Sequence, residues 1–405
     1  MKKYLALYLL NKLRVICEKD RKKRLTLASR IGHNMGQEDY SVRLLPSFAL
    51  FSLLLACRST EKPISTLHDY GPEAAAGKGV PLALGADYAC VLNRKGQGTC
   101  LGVRDAAEAK APVRWQTLRA AGSTPVLRDL VARSTVTCGI GVRPSALENR
   151  IVCWLPQSSA APEQTDLDAV LLSGKMKGRL RSLSLQRDKV CALLTDGQIA
   201  CGVLSATSQA LNLSVIKGLR SMHNLRSGEG FSCGLREDTG AIFCWGDNSQ
   251  GQLGLGSALH EEEEPVAIAG FSGYATAMDT GAHHACAINQ AGEVLCWGSN
   301  SHQQLGVEGK RHMEPKVVRG LPAKASSLAL GARHSCAQLV NGTVWCWGAA
   351  NALGSEAQGG LIPLRVRLPV ASAQIVASLD RTCSQLSTGE IFCWGTEPEV
   401  LPVPF

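Results

Sequence analysis

The chain has 405 residues, 45% of them hydrophobic and only 5% aromatic, and its 43 Lys/Arg against 34 Asp/Glu give a net charge of +9. That balance would ordinarily point to an acidic partner, but positions 1–57 hold 11 of the basic residues and four of the acids, leaving 32 against 30 in the remainder. The body of the chain is close to neutral, so charge gives no support to nucleic-acid binding.

Residues 1–34 carry ten Lys/Arg and two acids and fit no export signal, because a signal normally begins close to its apolar run. A start at Met35 gives a conventional leading segment, MGQEDYSVR, and would leave Cys17 untranslated; a genuine basic cytoplasmic extension is the rival reading. The apolar run 44–56 has 13 residues, too short to span a bilayer and the right length for the core of a signal. Leu54-Leu55-Ala56-Cys57 resembles a bacterial lipoprotein signal, in which the cysteine is lipidated and becomes the mature N-terminus. An ordinary secretory signal cleaved nearby, or a buried apolar strand, is the other reading of this run. The expected divisions are a leader at 1–34, a signal at 35–56 and a Ser/Thr/Glu/Pro/Gly-rich tether at 57–79. Arg58 after the cysteine, rather than an aspartate, points to the outer membrane by analogy with other lipoproteins.

From residue 80 to 405 the chain is a repeat. Fourteen of the 16 cysteines fall into couples: Cys90 with Cys100, Cys138 with Cys153, Cys191 with Cys201, Cys233 with Cys244, Cys286 with Cys296, Cys336 with Cys346, and Cys383 with Cys393. Successive first cysteines are 48, 53, 42, 53, 50 and 47 residues apart, a period that marks a repeat architecture. Such couples would not persist as disulfides in a reducing cytosol, so they place the protein in an oxidising compartment.

The cleanest unit, residues 281–306, reads GAHHACAINQAGEVLCWGSNSHQQLG. Residues 285–288 and 294–297 are strand-like and the turn between them contains Gly292, which predicts a hairpin. Cys286 and Cys296 then oppose each other on the two strands, where Cβ atoms approach to roughly 4.5 Å, close to what a disulfide needs. The phrase recurs as FSCGLREDTGAIFCWGDNSQGQLG, RHSCAQLVNGTVWCWGAANALG and RTCSQLSTGEIFCWG, and in worn form as YACVLNRKGQGTCLG, VTCGI…NRIVCW and KVCALLTDGQIACG.

These phrases resemble the regulator of chromosome condensation repeat family, whose units carry Cys-Trp-Gly, Asn and a Gly-Gln-Leu-Gly tail. Gly246, Asn248, Gly251, Gln252, Leu253 and Gly254 match that tail, and Gly298, Asn300, Gln304, Leu305 and Gly306 match it in part. The resemblance implies an all-β, seven-bladed propeller over 80–405, and the cysteine couples independently give seven. Trp245, Trp297, Trp347 and Trp394 follow the second cysteine, so they alternate to the other strand face and are expected to pack between blades. Segments such as Pro265-Val-Ala-Ile and Pro315-Lys-Val-Val are expected to begin the next blade, and the C-terminal segment to return to the first blade near Val80–Leu84 and close the ring.

Catalytic strings are few. Gly230-Phe-Ser-Cys-Gly234 matches a nucleophile elbow with Ser232, but it sits inside a repeat strand instead of a strand–turn–helix. His284 and His334 recur because the repeat recurs, and the thiol spacings are not those of zinc sites, so no metal or cofactor is expected. Asn212 and Asn341 are glycosylation sequons only in a eukaryotic secretory route, which the lipoprotein signal argues against. The expectation is a non-catalytic, monomeric module that binds a protein or glycan, not nucleic acid, and meets the membrane through its lipid. Its candidate binding loops carry Asp247, Asn248, Glu261, Glu262, Asn300, His302, Lys310 and Arg311, with 349–358 and the hairpin 143–150 as further loops. The alternatives are an enzyme inhibitor, which would need an aromatic face, and an envelope hydrolase or lyase with carboxylates or histidines converging on the axis.

Overall fold

The structure, a computed structural model, describes residues 81–102, 116–119, 124–142, 149–154, 166–172, 178–204, 211–256, 260–353, 359–395 and 399–401, apart from the single residues 87, 169, 187 and 272. The expected leader, signal, Cys57 and tether lie outside these residues, as do 143–148 of the second-blade hairpin and 354–358.

The short apolar runs of each module are strands, and glycine-bearing turns separate them. The first blade is β1 (Leu82–Leu84), β2 (Tyr88–Leu92), β3 (Gly98–Gly102) and β4 (Gln116–Arg119). The second is β5 (Leu127–Arg133), β6 (Val136–Gly141), β7 (Ile151–Trp154) and β9 (Val170–Leu172), with β8 (Asp166–Asp168) between the last two in the chain. The third is β10 (Leu180–Leu185), β11 (Lys189–Leu194), β12 (Ile199–Val203) and β13 (Ser214–Val215). The fourth is β14 (Met222–Ser227), β15 (Phe231–Arg236), β16 (Ile242–Gly246) and β17 (Glu262–Ala267). The fifth is β18 (Ala275–Thr280), β19 (His284–Asn289), β20 (Val294–Ser299) and β21 (Arg311–Val317). The sixth is β22 (Ala325–Leu330), β23 (His334–Leu339), β24 (Val344–Gly348) and β25 (Gly360–Arg365), with one helical turn, α1 (Ala350–Leu353), before β25. The seventh is β26 (Ser372–Ser378), β27 (Arg381–Leu386), β28 (Ile391–Trp394) and β29 (Glu399–Leu401).

Seven antiparallel sheets result, each ordered as the chain runs, and their first strands pack in turn around an axis until β26 meets β1. This is the seven-bladed propeller expected from the repeat. Two details differ from expectation. Pro265 lies in β17 and Pro315 in β21, the outermost strands that end blades four and five, so neither begins the next blade. An edge strand tolerates proline because one side of it needs no ladder donor. The C-terminal strand β29 likewise completes its own sheet, with Phe392 opposite Val400. The ring closes by packing, Leu82, Leu84, Val91 and Leu101 of the first blade lying against Ile391 and the Cys383–Cys393 couple of the last. Nor did the sequence announce β8, which leaves the second blade and runs parallel to β4 as a fifth strand of the first.

All seven cysteine couples are disulfides between directly opposed residues of the second and third strands, with Cα–Cα distances of 4.0 to 4.1 Å. Each blade buries its disulfide on the face toward the next blade and its Cys-plus-one residue on the other, since side chains alternate across a strand. Trp297 therefore packs on Cys233, Cys244, Phe231 and Ile242 of blade four, Trp347 on Cys286 and Cys296, and Trp394 on Cys336 and Cys346. Trp245 meets Cys191 and Ile199 in the same way. The apolar cores thus sit at the blade junctions. Gly298, after Trp297, has φ +101° and no room for a Cβ, which would lie 2.6 Å from the His283 carbonyl.

The first strands of blades two to seven share an irregularity. In each, one residue is inserted into the ladder near the hairpin end: Arg128, Arg181, His223, Thr276, Ser326 and Ala373. These are β-bulges, all at one register position, three residues before the one that faces the first cysteine.

Candidate functional site

The loops after the third strands of blades four and five are built by their own polar side chains. Asn248 Oδ1 accepts the Leu253 amide at 3.0 Å, and Asn300 Oδ1 accepts that of Leu305 at 2.9 Å. Asn300 Nδ2 donates to the Val307 and Gly309 carbonyls at 2.6 and 2.7 Å. The two asparagines are 0% and 3% exposed, so they hold the loops and do not present themselves to a ligand. Gln252 and Gln304 fasten the loops to the following blade, each carbonyl accepting an indole N–H, from Trp297 at 2.9 Å and Trp347 at 2.8 Å. Asp247 is also engaged, accepting from the Ser249 amide at 2.9 Å and from Gln252 Nε2 at 2.8 Å.

The other candidates reach the surface. Glu261, His302, Lys310 and Arg311 are exposed, and Glu262 is half-buried beside His260, Oε1 to Nε2 2.8 Å. Glu262, Glu263 and Glu264 belong to strand β17 instead of a loop, and Arg311 opens β21.

At the axis the first strands line a cavity of about 200 Å³. Arg226 and Asp279, at equivalent positions of blades four and five, pair across the junction, Nε to Oδ1 3.2 Å, and Asp279 Oδ2 accepts the Leu330 amide of blade six at 2.8 Å. Arg133 Nη1 donates to the Ser227 carbonyl at 2.7 Å, spanning blade three. Burial pushes the Asp279 carboxyl up, with Arg226 opposing, and pushes the Arg133 guanidinium down, with Glu229 and Asp279 opposing. These charges are tied to each other and to backbone groups.

His284 and His334 do not converge on the axis. Both are fully buried in the second strands, and each reaches the hydroxyl that precedes the next blade's first cysteine: His284 Nε2 to Ser335 Oγ at 2.9 Å, His334 Nε2 to Thr382 Oγ1 at 2.6 Å. Thr137 Oγ1 donates to Tyr88 Oη at 2.8 Å in the same place between blades one and two. Ser232 is buried and bonded to Gln186 Nε2 at 2.7 Å and Ser227 Oγ at 2.8 Å, which gives it the same junction role. Among the described residues no group of three or more His, Cys, Asp or Glu could hold a metal ion. The bulge cations and the Arg226–Asp279 pair escaped the sequence reading, although aligning the modules on their cysteines sets them in register.

Residues 239–288 and 291–338 match the family model of the Regulator of chromosome condensation (RCC1) repeat, and a second model of that repeat matches 224–252 and 275–304. The human probable E3 ubiquitin-protein ligase HERC6 is 31% identical over 121 residues, 29% of this chain and 11% of HERC6. Human HERC3, also a probable E3 ubiquitin-protein ligase, is 36% identical over 73 residues, 18% of this chain and 7% of HERC3. The match therefore spans a small part of these relatives. Among solved structures, Prp20p from Saccharomyces cerevisiae superposes with a TM-score of 0.60 at 15% identity, over 79% of this chain and 82% of that one. Human WBSCR16 gives 0.60 at 14% identity over 74% and 89%. The CRINKLY WD40 ectodomain of the Arabidopsis thaliana receptor kinase ACR4 gives 0.52 at 18% identity over 80% and 97%. These likenesses are of fold.

Proposed function

We propose that this chain, which is built of RCC1 repeats, is a non-catalytic protein-binding module carried by a lipid on Cys57 at a bacterial cell envelope. The observation that supports it most is the division of labour in the blade-four and blade-five loops. Asn248, Asn300, Gln252 and Gln304 are spent on rigidity, while Glu261, Lys310 and Arg311 stand exposed on the frame they create. Rigid presentation of charged tips suits recognition, because little ordering entropy is lost on binding. A protein ligand is favoured over a glycan by the likeness to Prp20p, which is described by its binding to Gsp1p and histones. Among the described residues the exposed large hydrophobics include no aromatic, which leaves the inhibitor reading without its aromatic face.

The test is retention of a protein from envelope extract by the mature chain, made in an oxidising compartment, with K310E/R311E as the variant. Loss of a specific retained protein in that variant is the expected result. A wild-type protein that retains nothing overturns the proposal.

A further inference from the structure

A bulge leaves its residue out of the pleat and re-aims its side chain. In blades five and six the re-aimed hydroxyl folds back on its own sheet: Thr276 Oγ1 donates to the Ile288 carbonyl at 3.1 Å, and Ser326 Oγ to that of Gln338 at 3.0 Å. In the three blades before them the same position carries Arg128, Arg181 and His223. The bulges lie beside the hairpin turns, on the face opposite the loops of blades four and five. Arg128 Nη2 donates across the junction to the Leu180 carbonyl, which joins the blade-two and blade-three cations into one arc. Burial disfavours the charge on Arg128, with Asp129 opposing and exposed Arg179 adding to it, and burial disfavours that on His223, with Glu237 opposing and Arg181 adding to it. Two buried nitrogens in the arc, Arg128 Nε and His223 Nδ1, have no hydrogen-bond partner. Among the described residues Asp129 and Glu237 face the arc. Asp129 is occupied, its oxygens accepting the Leu130 and Leu183 amides at 3.0 and 2.9 Å, and exposed Glu237 flanks His223.

We infer that the bulge arc of Arg128, Arg179, Arg181 and His223, on the hairpin face of blades two to four, binds a carboxylate-rich segment of a partner protein. The inference rests on the binding-module reading above and adds to the contact proposed there for the blade-four and blade-five loops a second contact of the same partner, on the opposite face, whose chemistry it names. Guanidinium groups offer a carboxylate parallel charge-assisted donors, the geometry for which Arg is preferred over Lys. Arg128, Arg181 and His223 project from three first strands whose flanking residues are paired in the sheet ladders, which restricts their backbone before a ligand arrives and lowers the cost of binding.

The test is fluorescence anisotropy of a dye-labelled decaglutamate peptide titrated with the intact mature protein at low salt. Saturable binding is expected, weakened about tenfold in R179Q/R181Q, the loss that two charge-assisted contacts carry. R94Q/K95Q, which removes the same charge from the exposed blade-one hairpin, should keep affinity within about twofold, and R179K/R181K should recover part of the loss. Near-UV circular dichroism and disulfide mapping establish that each variant is folded. Absence of saturable binding overturns the inference. So does an equal loss in both charge-removal variants, which would mean net charge alone, and so does preferred binding of a single-stranded oligonucleotide that displaces the peptide. Undiminished retention of the envelope protein by R179Q/R181Q would sink the arc and leave the module reading intact. A wild type that binds the peptide but retains no protein removes the module reading, and the partner named here with it.

Discussion

His284 Nε2 lies 2.9 Å from Ser335 Oγ across the junction of blades five and six, and His334 stands in the same relation to Thr382 one blade further on. Burial is the main cause that pushes His284 down to about 3, with neighbouring His334 adding to it, and burial pushes His334 down to about 4 against the opposing charge of Asp380. Both rings are therefore neutral in the folded protein at neutral pH. Below about pH 6.5 the unfolded chain takes up protons there that the folded chain refuses, so stability present above 6.5 falls as pH drops toward 4. The slope is at most about 1.4 kcal/mol per pH unit for each ring. Urea midpoints between pH 7.5 and 4.5 are expected to fall more steeply for the wild type than for H284Q/H334Q. Parallel pH profiles would refute this.

Trp297 joins apolar packing on the blade-four disulfide to an indole hydrogen bond with the Gln252 carbonyl. W297A should cost about 3–5 kcal/mol, the range for removing a buried large aromatic. W297F keeps much of the packing and strands the buried carbonyl, for a loss of about 1–3 kcal/mol. Chemical denaturation of the two variants orders them, and an equal loss would mean that the ring packing kept by Phe contributes nothing beyond the lost hydrogen bond.

The disulfides are not equally protected. Thirteen of the fourteen bridged cysteines are buried, whereas Cys201 is partly exposed. The residue after it is Gly202, where five other blades have Trp and the first has Leu101, and the strand outside it, β13, has only 2 residues. Mild reductant followed by alkylation and mass mapping should label Cys191 and Cys201 first. Earlier labelling of another couple would show that local opening, and not static cover, controls access. Deleting one couple, as in C286S/C296S, should cost up to about 3 kcal/mol from the loop it closes.

The lipid proposal has a direct test. The mature N-terminus should be Cys57 bearing a diacylglycerol thioether, visible as a lipid mass on the N-terminal peptide, and C57S should move the protein from the membrane to the soluble fraction. An unmodified N-terminus elsewhere in 44–79 would mean ordinary secretion.

The module length, the cysteine partners and the alternation of Trp297 and Trp347 to the strand face opposite their cysteines were legible because each depends on residues within one hairpin or on period-two alternation. Legibility failed where a residue's role is set by another blade or by backbone. Asn248 and Asn300 look like surface turn residues in sequence, yet the Leu253 and Leu305 amides capture them and bury them. Arg226 and Asp279 are 53 positions apart and meet only because the ring brings equivalent strands together. A bulge such as that at His223 adds one residue without leaving a mark on composition. The ring closure went astray because Glu399 to Leu401 resembles every other fourth strand, and it is one: its partner is β28, in its own blade.

That last strand has a mechanical meaning. Among the described residues no strand of the seventh blade crosses into the first, and side-chain packing of Leu82, Leu84 and Leu101 on Ile391 spans the gap between the first and last sheets. Every other neighbouring pair is also joined by covalent backbone. The disc is a split ring, and amide exchange or pulling on its ends should part it first at that seam, leaving seven stapled modules in line.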